Sequence, residues 1–371
     1  MKFSVLSGDL LKILVKTGSV IPTRSTMPVL ENYLFELKED ALTITATDID
    51  ISVSSSISVK GEQNGSIVVP SKRLMETMRA LPNINVKFTA EVVSNKIMML
   101  TDKGEYRLTG LPSEEYPTTP RVKSDEEILI STDLLKRSIN KTIFAASTDE
   151  LRPAMTGVLF QMKKEELRVV ATDGHRLVRI INTGFKTQKS EYDIIIPAKT
   201  LNIISKYFEE KLNSVYLDGT HIMFNFENSV LVSRIIDEKY PNYETVIPLD
   251  NNKVLSVNRN EIISSVRRAS FYASSSTHQV KFSILKDSVT ISAEDIDFGS
   301  EAKETLGCEF SDNELEIGFN AAYINDILSH IDSEEIEFLL SSPNRAAMVK
   351  PKQQQENEDI LMLVMPVRLN S

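Results

Sequence analysis

The sequence predicts an α+β fold made of three tandem, pseudo-symmetric units, each combining helices with antiparallel strands. Two observations carry the prediction: a hairpin-like segment that occurs three times, and a helix before and after each copy. The segments Leu30 to Asp50 (LENYLFELKEDALTITATDID) and Met155 to His175 (MTGVLFQMKKEELRVVATDGH) align without gaps at an offset of 125 residues, Asp48 to Asp173. A third, Val280 to Asp297 (VKFSILKDSVTISAEDID), aligns at 247, Asp48 to Asp295. Phe35, Leu42, Ala46 and Asp48 thereby meet Phe160, Leu167, Ala171 and Asp173, and then Phe282, Val289, Ala293 and Asp295. One third of 371 residues is about 124, close to these spacings. The units are set at 1–123, 124–251 and 252–371, with Pro120 and Pro248 near the boundaries. Repeats of this size are too long for a solenoid and suit whole domains arranged with ring-like pseudo-symmetry.

Each element has a local reason. Apolar and polar residues alternate on both sides of Lys38-Glu39-Asp40, Lys163-Lys164-Glu165 and Lys286-Asp287-Ser288, the period of strands with one buried face. A helix precedes each hairpin, at 7–19, 131–146 and 256–270, where a capping-type residue stands before an apolar pair: Ser7 to Leu11, Ser131 to Leu135 and Asn258 to Ile263. A second helix follows at 70–82, 197–212 and 319–331. Pro70 and Pro197 open the first two, where a missing N–H costs nothing.

Composition sets the class. Apolar residues make up 41% and charged residues 25%, ordinary values for a soluble globular protein. Asp9, Lys12 and Lys16 interrupt the first apolar stretch, and no run of about 18 apolar residues occurs, so neither a signal peptide nor a membrane span is expected. The one cysteine, Cys308, predicts a reducing, cytoplasmic setting.

The net charge of −10 argues against nucleic acid unless charge is segregated. It is segregated. Five of the six predicted helices are net positive and the six together carry +7, leaving −17 for strands and loops. Basic helices can face phosphates while the rest stays acidic, although Lys and Arg also suit plainly solvated helix faces.

Catalytic readings find little support. Asp48, Asp50, Asp173, Asp295 and Asp297 resemble metal-binding carboxylates, but their recurrence in every unit predicts that they end a strand and hold a turn. His175 lacks a nucleophile motif beside it, and His221, His278 and His330 show no metal spacing. There is no G-x-x-x-x-G-K array for nucleotide phosphates. The readings still open at this point include a metal-dependent nuclease or other DNA-processing enzyme using those aspartates, and a scaffold that does not bind DNA. No catalytic residue, metal or cofactor is expected.

The repeat ATDID/ATDGHRL/AEDID, the segment Gly318-Phe319-Asn320 through Tyr323 and the C-terminal Val364-Met365-Pro366-Val367-Arg368-Leu369 together resemble the β subunit of bacterial DNA polymerase III over the whole chain. The resemblance implies three similar clamp domains, two chains closing head-to-tail into a ring, helices lining the hole and sheets forming the outer wall. It implies a non-catalytic processivity factor in the bacterial cytoplasm, on the nucleoid. Its partners would be double-stranded DNA without sequence preference, a second copy, the replicative polymerase, the clamp loader, and other polymerases and repair proteins carrying short Gln/Leu/Phe motifs.

Carried over by position, a peptide-binding cleft comprises Met155, Thr172, Gly174, His175, Arg176 and Leu177, then Pro241, Val246, Asn320 and Tyr323, and the tail residues Val364, Met365, Pro366, Val367 and Arg368. Read without the resemblance, that tail suits an edge strand as well as an adaptable Met-containing pocket. Thr245 stands where the family usually has Arg, and Thr277 near an expected aromatic. Arg24 matches a DNA-contacting position. The basic helices add Lys12, Lys72, Arg73, Arg79, Lys136, Arg137, Lys141, Lys199, Arg267 and Arg268. The ring interface would set Phe271 and Tyr272 against Tyr106 and Arg107.

Overall fold

A computed structural model describes residues 1–124, 126–187 and 190–369. All three repeated segments are hairpins. Asn32–Lys38 pairs with Ala41–Thr47, Gly157–Met162 with Leu167–Thr172, and Gln279–Ile284 with Ser288–Asp295. Among the described residues the six α-helices are α1 (Ser7–Thr17), α2 (Ser71–Ala80), α3 (Thr132–Thr142), α4 (Ala198–Tyr207), α5 (Arg259–Ser270) and α6 (Ala321–Ser329). No helix among the described residues is long and apolar enough to cross a membrane.

Packing divides the chain into two compact units, Met1–Lys136 with Lys199–Ile235, and Arg137–Ala198 with Ile236–Ser371. The middle repeat is shared because its strands extend the sheets of its neighbours. In the first unit, Ser229–Arg234 pairs antiparallel with Ile51–Ser58, giving one eight-stranded sheet. A five-stranded sheet completes that unit and ends on the edge strand Glu105–Thr109. Phe3, Phe35 and Phe88 stack in its core, with ring centroids 4.9 and 5.6 Å apart. In the second unit, Arg176–Asn182 pairs with Glu358–Val364 within a nine-stranded sheet. Its four-stranded companion has Ser300–Gly307 as an edge.

Helix starts follow the expected chemistry at two of the three first helices. The Asn258 side chain accepts from the amides of Asn260 and Glu261, and Ser131 Oγ from Leu134. The first helix differs. Ser7 lies inside α1, where its hydroxyl donates to the Pro82 carbonyl, and the Gly8 amide is capped from outside by Asn83 Oδ1 at 3.1 Å.

Three of the recurring aspartates hold turns. Asp48 accepts from Ile51 N (2.7 Å), Asp173 from His175 N and Arg176 N (2.9 and 3.0 Å), and Asp295 from Asp297 N (3.1 Å). Each carboxylate thus replaces backbone acceptors where the strand stops. The residue after the first two is left-handed: Gly174 at φ +90° and Ile49 at φ +84°. Glycine takes that conformation freely, whereas a β-branched residue is strained there. Ile49→Gly is therefore expected to stabilise the chain by about 1 kcal/mol, read as a higher urea midpoint at unchanged slope; a lower midpoint would refute the strain.

Candidate peptide-binding cleft

The cleft is built on the second of these turns. Leu167–Thr172 and Arg176–Asn182 form a hairpin joined by Asp173-Gly174-His175, and Leu177 faces Leu363 across the next strand pairing. After Val364 the chain continues along the same edge, with Met365 N donating to the His175 carbonyl at 2.8 Å. These backbones and the Pro241–Val246 segment surround a cavity of about 260 Å³. Nine of the expected residues line it: Met155, Thr172, Gly174, His175, Arg176, Leu177, Pro241, Val246 and Met365. Leu177 and Leu363 belong to a buried apolar cluster with Leu159, Val170, Tyr243 and Leu361, so the floor is rigid. Val246 and Met365 are half-exposed apolar groups at the rim. A mostly apolar recess with a few fixed polar atoms takes large aliphatic or aromatic side chains.

At this turn glycine avoids strain at φ +90°, and a side chain would displace the end of Arg152. A Cβ on Gly174 would come within 2.9 Å of Arg152 Nη1, which itself donates to the Asp173 carbonyl.

Arg176 lines the cavity, but its donors are engaged within the chain. Its guanidinium donates to Asp173 Oδ2 (3.0 Å), to Asp326 and to the Phe144 carbonyl (2.8 Å), and it sits over the rings of Phe144 and Tyr323. With those donors engaged and the side chain 11% exposed, it braces the wall and has little left for a ligand. His175 is exposed and stacks on Tyr323, with centroids 5.8 Å apart, so Tyr323 extends the cleft wall beyond the cavity itself. Burial pushes the Tyr323 hydroxyl pKa above its ordinary value, and the Asp173 carboxylate adds to that.

Other positions fall elsewhere. Asn320 caps α6, its Oδ1 accepting from Ala322 N at 2.9 Å, so its acceptor is already committed. Val364 is fully buried in its strand, facing away from any ligand. Val367 N bonds the Gly318 carbonyl, tying the tail to a second strand. Pro366, Val367 and Arg368 do not line the cavity. Thr245 lies in the Tyr243–Val246 turn, where its hydroxyl bonds the Asn242 carbonyl.

Four lining residues escaped the sequence reading: Asn242, Tyr243, Ala346 and Leu363. Strand alternation back from Met365 points to Leu363. Ala346 comes from a distant loop and carries no local signal. Tyr243 is held by a bond from its hydroxyl to Gln161 Oε1 at 2.7 Å.

The basic positions separate into three groups. Arg24, Lys72, Arg73, Arg79 and Arg267 are exposed and make no ion pair with another described residue; Lys136 is partly exposed and likewise unpaired. Lys12, Lys199 and Arg268 remain exposed while pairing with Asp9, Asp48 and Glu304. Arg137 and Lys141 contradict the expectation of free phosphate-binding groups. Arg137 is bonded bidentately to the nearly buried Glu358 (2.7 Å for Nη2) and to Asp332, and Lys141 is 8% exposed, held by Asp332 and the His330 carbonyl. Their charge is neutralised in place, because α3 packs this face against acidic residues brought in from the third repeat.

Comparison with known proteins covers the full length. Residues 1–120, 129–242 and 244–368 match the N-terminal, central and C-terminal domains of the DNA polymerase III beta subunit family. The beta sliding clamp of Bacillus subtilis is 30% identical over 99% of this chain and 100% of its own; that of Pseudomonas aeruginosa is 28% identical over 100% of both. Among solved structures, the Bacillus subtilis sliding clamp superposes with a TM-score of 0.93 at 28% identity over both whole chains. A Bartonella birtlesii clamp bound to griselimycin gives 0.94 at 29%, again over both whole chains. The three-domain architecture and the full-length matches agree, and the chain belongs to the DNA polymerase III beta subunit family, the non-catalytic sliding clamps that act as processivity factors in DNA replication.

Proposed function

We propose that two copies of this chain close head-to-tail around double-stranded DNA in the bacterial cytoplasm, on the nucleoid, and that the cleft tethers the replicative polymerase, the clamp loader and other polymerases and repair proteins through short Gln/Leu/Phe motifs. The single observation that carries the tethering role is the apolar recess beside the Asp173-Gly174-His175 turn, with Met365 and Val246 open at its rim. Three domains, 1–123, 124–251 and 252–371, would make each half of the ring.

Two open sheet edges favour self-association: Glu105–Thr109, which carries Tyr106 and Arg107, and Ser300–Gly307. Unpaired edges invite another strand. Phe271, 75% exposed, and Tyr272 follow α5, which packs on the same sheet as the second edge. Joining the first edge of one copy to the second edge of another gives a heterologous contact, which closes when two copies satisfy each other.

The DNA contact would come from Arg24, Lys12, Lys72, Arg73, Arg79, Lys136, Lys199, Arg267 and Arg268, meeting phosphates without reading bases. Retention should follow topology more than charge. Clamp loaded on closed circular DNA should persist through a wash at moderate salt and be lost once the DNA is linearised. Equally fast loss from circles and linear DNA would overturn encirclement, and Mg²⁺-dependent cleavage of the circle would favour a nuclease.

A further inference from the structure

One helix position carries a cation in all three repeats. The first helices bury matching residues: Leu10, Ile13, Leu14 and Thr17 in α1; Leu135, Ser138, Ile139 and Thr142 in α3; Ile262, Ser265, Val266 and Ala269 in α5. The residue before the last of each set is Lys16, Lys141 and Arg268. Two of these reach a carboxylate of the following repeat. Lys16 pairs with Glu210, also bonds Ser229 Oγ at 3.2 Å and lies over the Phe208 ring. Lys141 pairs with Asp332 at 2.7 Å and bonds the His330 carbonyl at 2.6 Å. The two lysine side chains are only 16% and 8% exposed. Both carboxylates occupy one position as well, three residues past the end of a second helix, α4 at Tyr207 and α6 at Ser329.

The third pair is unmade. Three residues past the end of α2 at Ala80 stands Asn83, a neutral residue whose Oδ1 is taken by Gly8 N of its own repeat. Arg268 turns to Glu304 of its own repeat, Nε to Oε1 at 2.6 Å. Both groups that would meet across a joint to a second copy are therefore engaged at home.

We infer that this helix position is a cationic latch that fastens each repeat to the next within the chain, and that the joint between copies lacks it. The inference rests on the head-to-tail reading above for the place of the third joint. A shielded ion pair adds charge complementarity that fixes the register of its joint, and at the joint between copies this helix position supplies no such pair. Asn83→Asp supplies the missing carboxylate. It is nearly isosteric, keeps an acceptor for Gly8 N, and places negative charge at the start of α1, where it is favourable.

The test measures the dimer dissociation constant by sedimentation over a dilution series for the unaltered chain, Asn83→Asp, Arg268→Gln and the double variant, with melting temperatures alongside. Asn83→Asp should tighten the dimer roughly five- to tenfold at about 0.1 M salt, and the gain should fade at about 1 M. Adding Arg268→Gln should erase the gain, while Arg268→Gln alone should leave the constant within about twofold. A folded Asn83→Asp protein with an unchanged constant overturns the latch. So does a weakening of more than about fivefold by Arg268→Gln alone, an outcome readable even if the first variant does not fold. An unaltered chain that stays monomeric at every concentration overturns the head-to-tail reading instead.

Discussion

Removal of residues 365–371 is expected to weaken capture of a Gln-and-Leu/Phe peptide by about 100-fold while leaving self-association intact. Met365 supplies half-exposed apolar surface at the rim of the cleft, and its amide anchors the tail to the His175 carbonyl. Without it, one wall of the recess around Leu177 opens to water. Burying two large apolar side chains is worth roughly 3–6 kcal/mol before ordering costs, so the intact cleft should bind in the micromolar range. Losing a wall should weaken this by about 100-fold. The cut leaves Val364 and its strand pairing with Arg176–Asn182 in place, so the sheet should survive; Asn370 and Ser371 lie outside the described residues. Isothermal titration of the shortened protein decides the matter. Binding at the affinity of the full chain would mean that the motif docks elsewhere.

Phe271→Ala with Tyr272→Ala should convert a dimer to monomers at low micromolar concentration. Both side chains face solvent in the single chain, Phe271 at 75% exposure and Tyr272 at 44%, so truncation should cost the chain itself little. Aromatic side chains buried at the centre of an interface commonly carry about 2 kcal/mol or more each. Two together should raise the dissociation constant more than about 100-fold. Sedimentation of the double variant, with its melting temperature unchanged, is the check. A dimer that persists at low micromolar concentration would place the interface away from the end of α5.

The two expectations differ in how they could be seen. The cleft turn was legible because Thr172-Asp173-Gly174 repeats the local chemistry of Thr47-Asp48-Ile49, with a hydroxyl and a carboxylate each accepting backbone amides two or three residues ahead. Such bonds are encoded within a few residues, so a sequence displays them. Gly174 itself came by position from the family pattern, since the matching turn of the first repeat holds Ile49 at a similar φ. Phe271 and Tyr272 came only by position from the family pattern; their exposure is a property of where α5 ends.

What the sequence alone determined is the set of local and periodic features: three hairpins, six helices, the strand-ending aspartates and most of the cleft turn. Each depends on side-chain alternation, helix periodicity or a bond spanning a few residues. Only the tertiary structure decided how charge is used. Arg137 and Lys141 look like free cations on a basic helix, yet Glu358 and Asp332, some two hundred residues away, neutralise them. Arg176 is placed in the cleft by position in the sequence, yet Asp326 and the Phe144 carbonyl engage its donors. The middle repeat, one unit in sequence, is divided between two packed bodies because its strands at Ser229–Arg234 and Arg176–Asn182 pair with the repeats on either side. Partners that meet through long-range strand pairing leave no periodic trace in either segment, and a charge reveals its role only once the opposite charge is in place beside it.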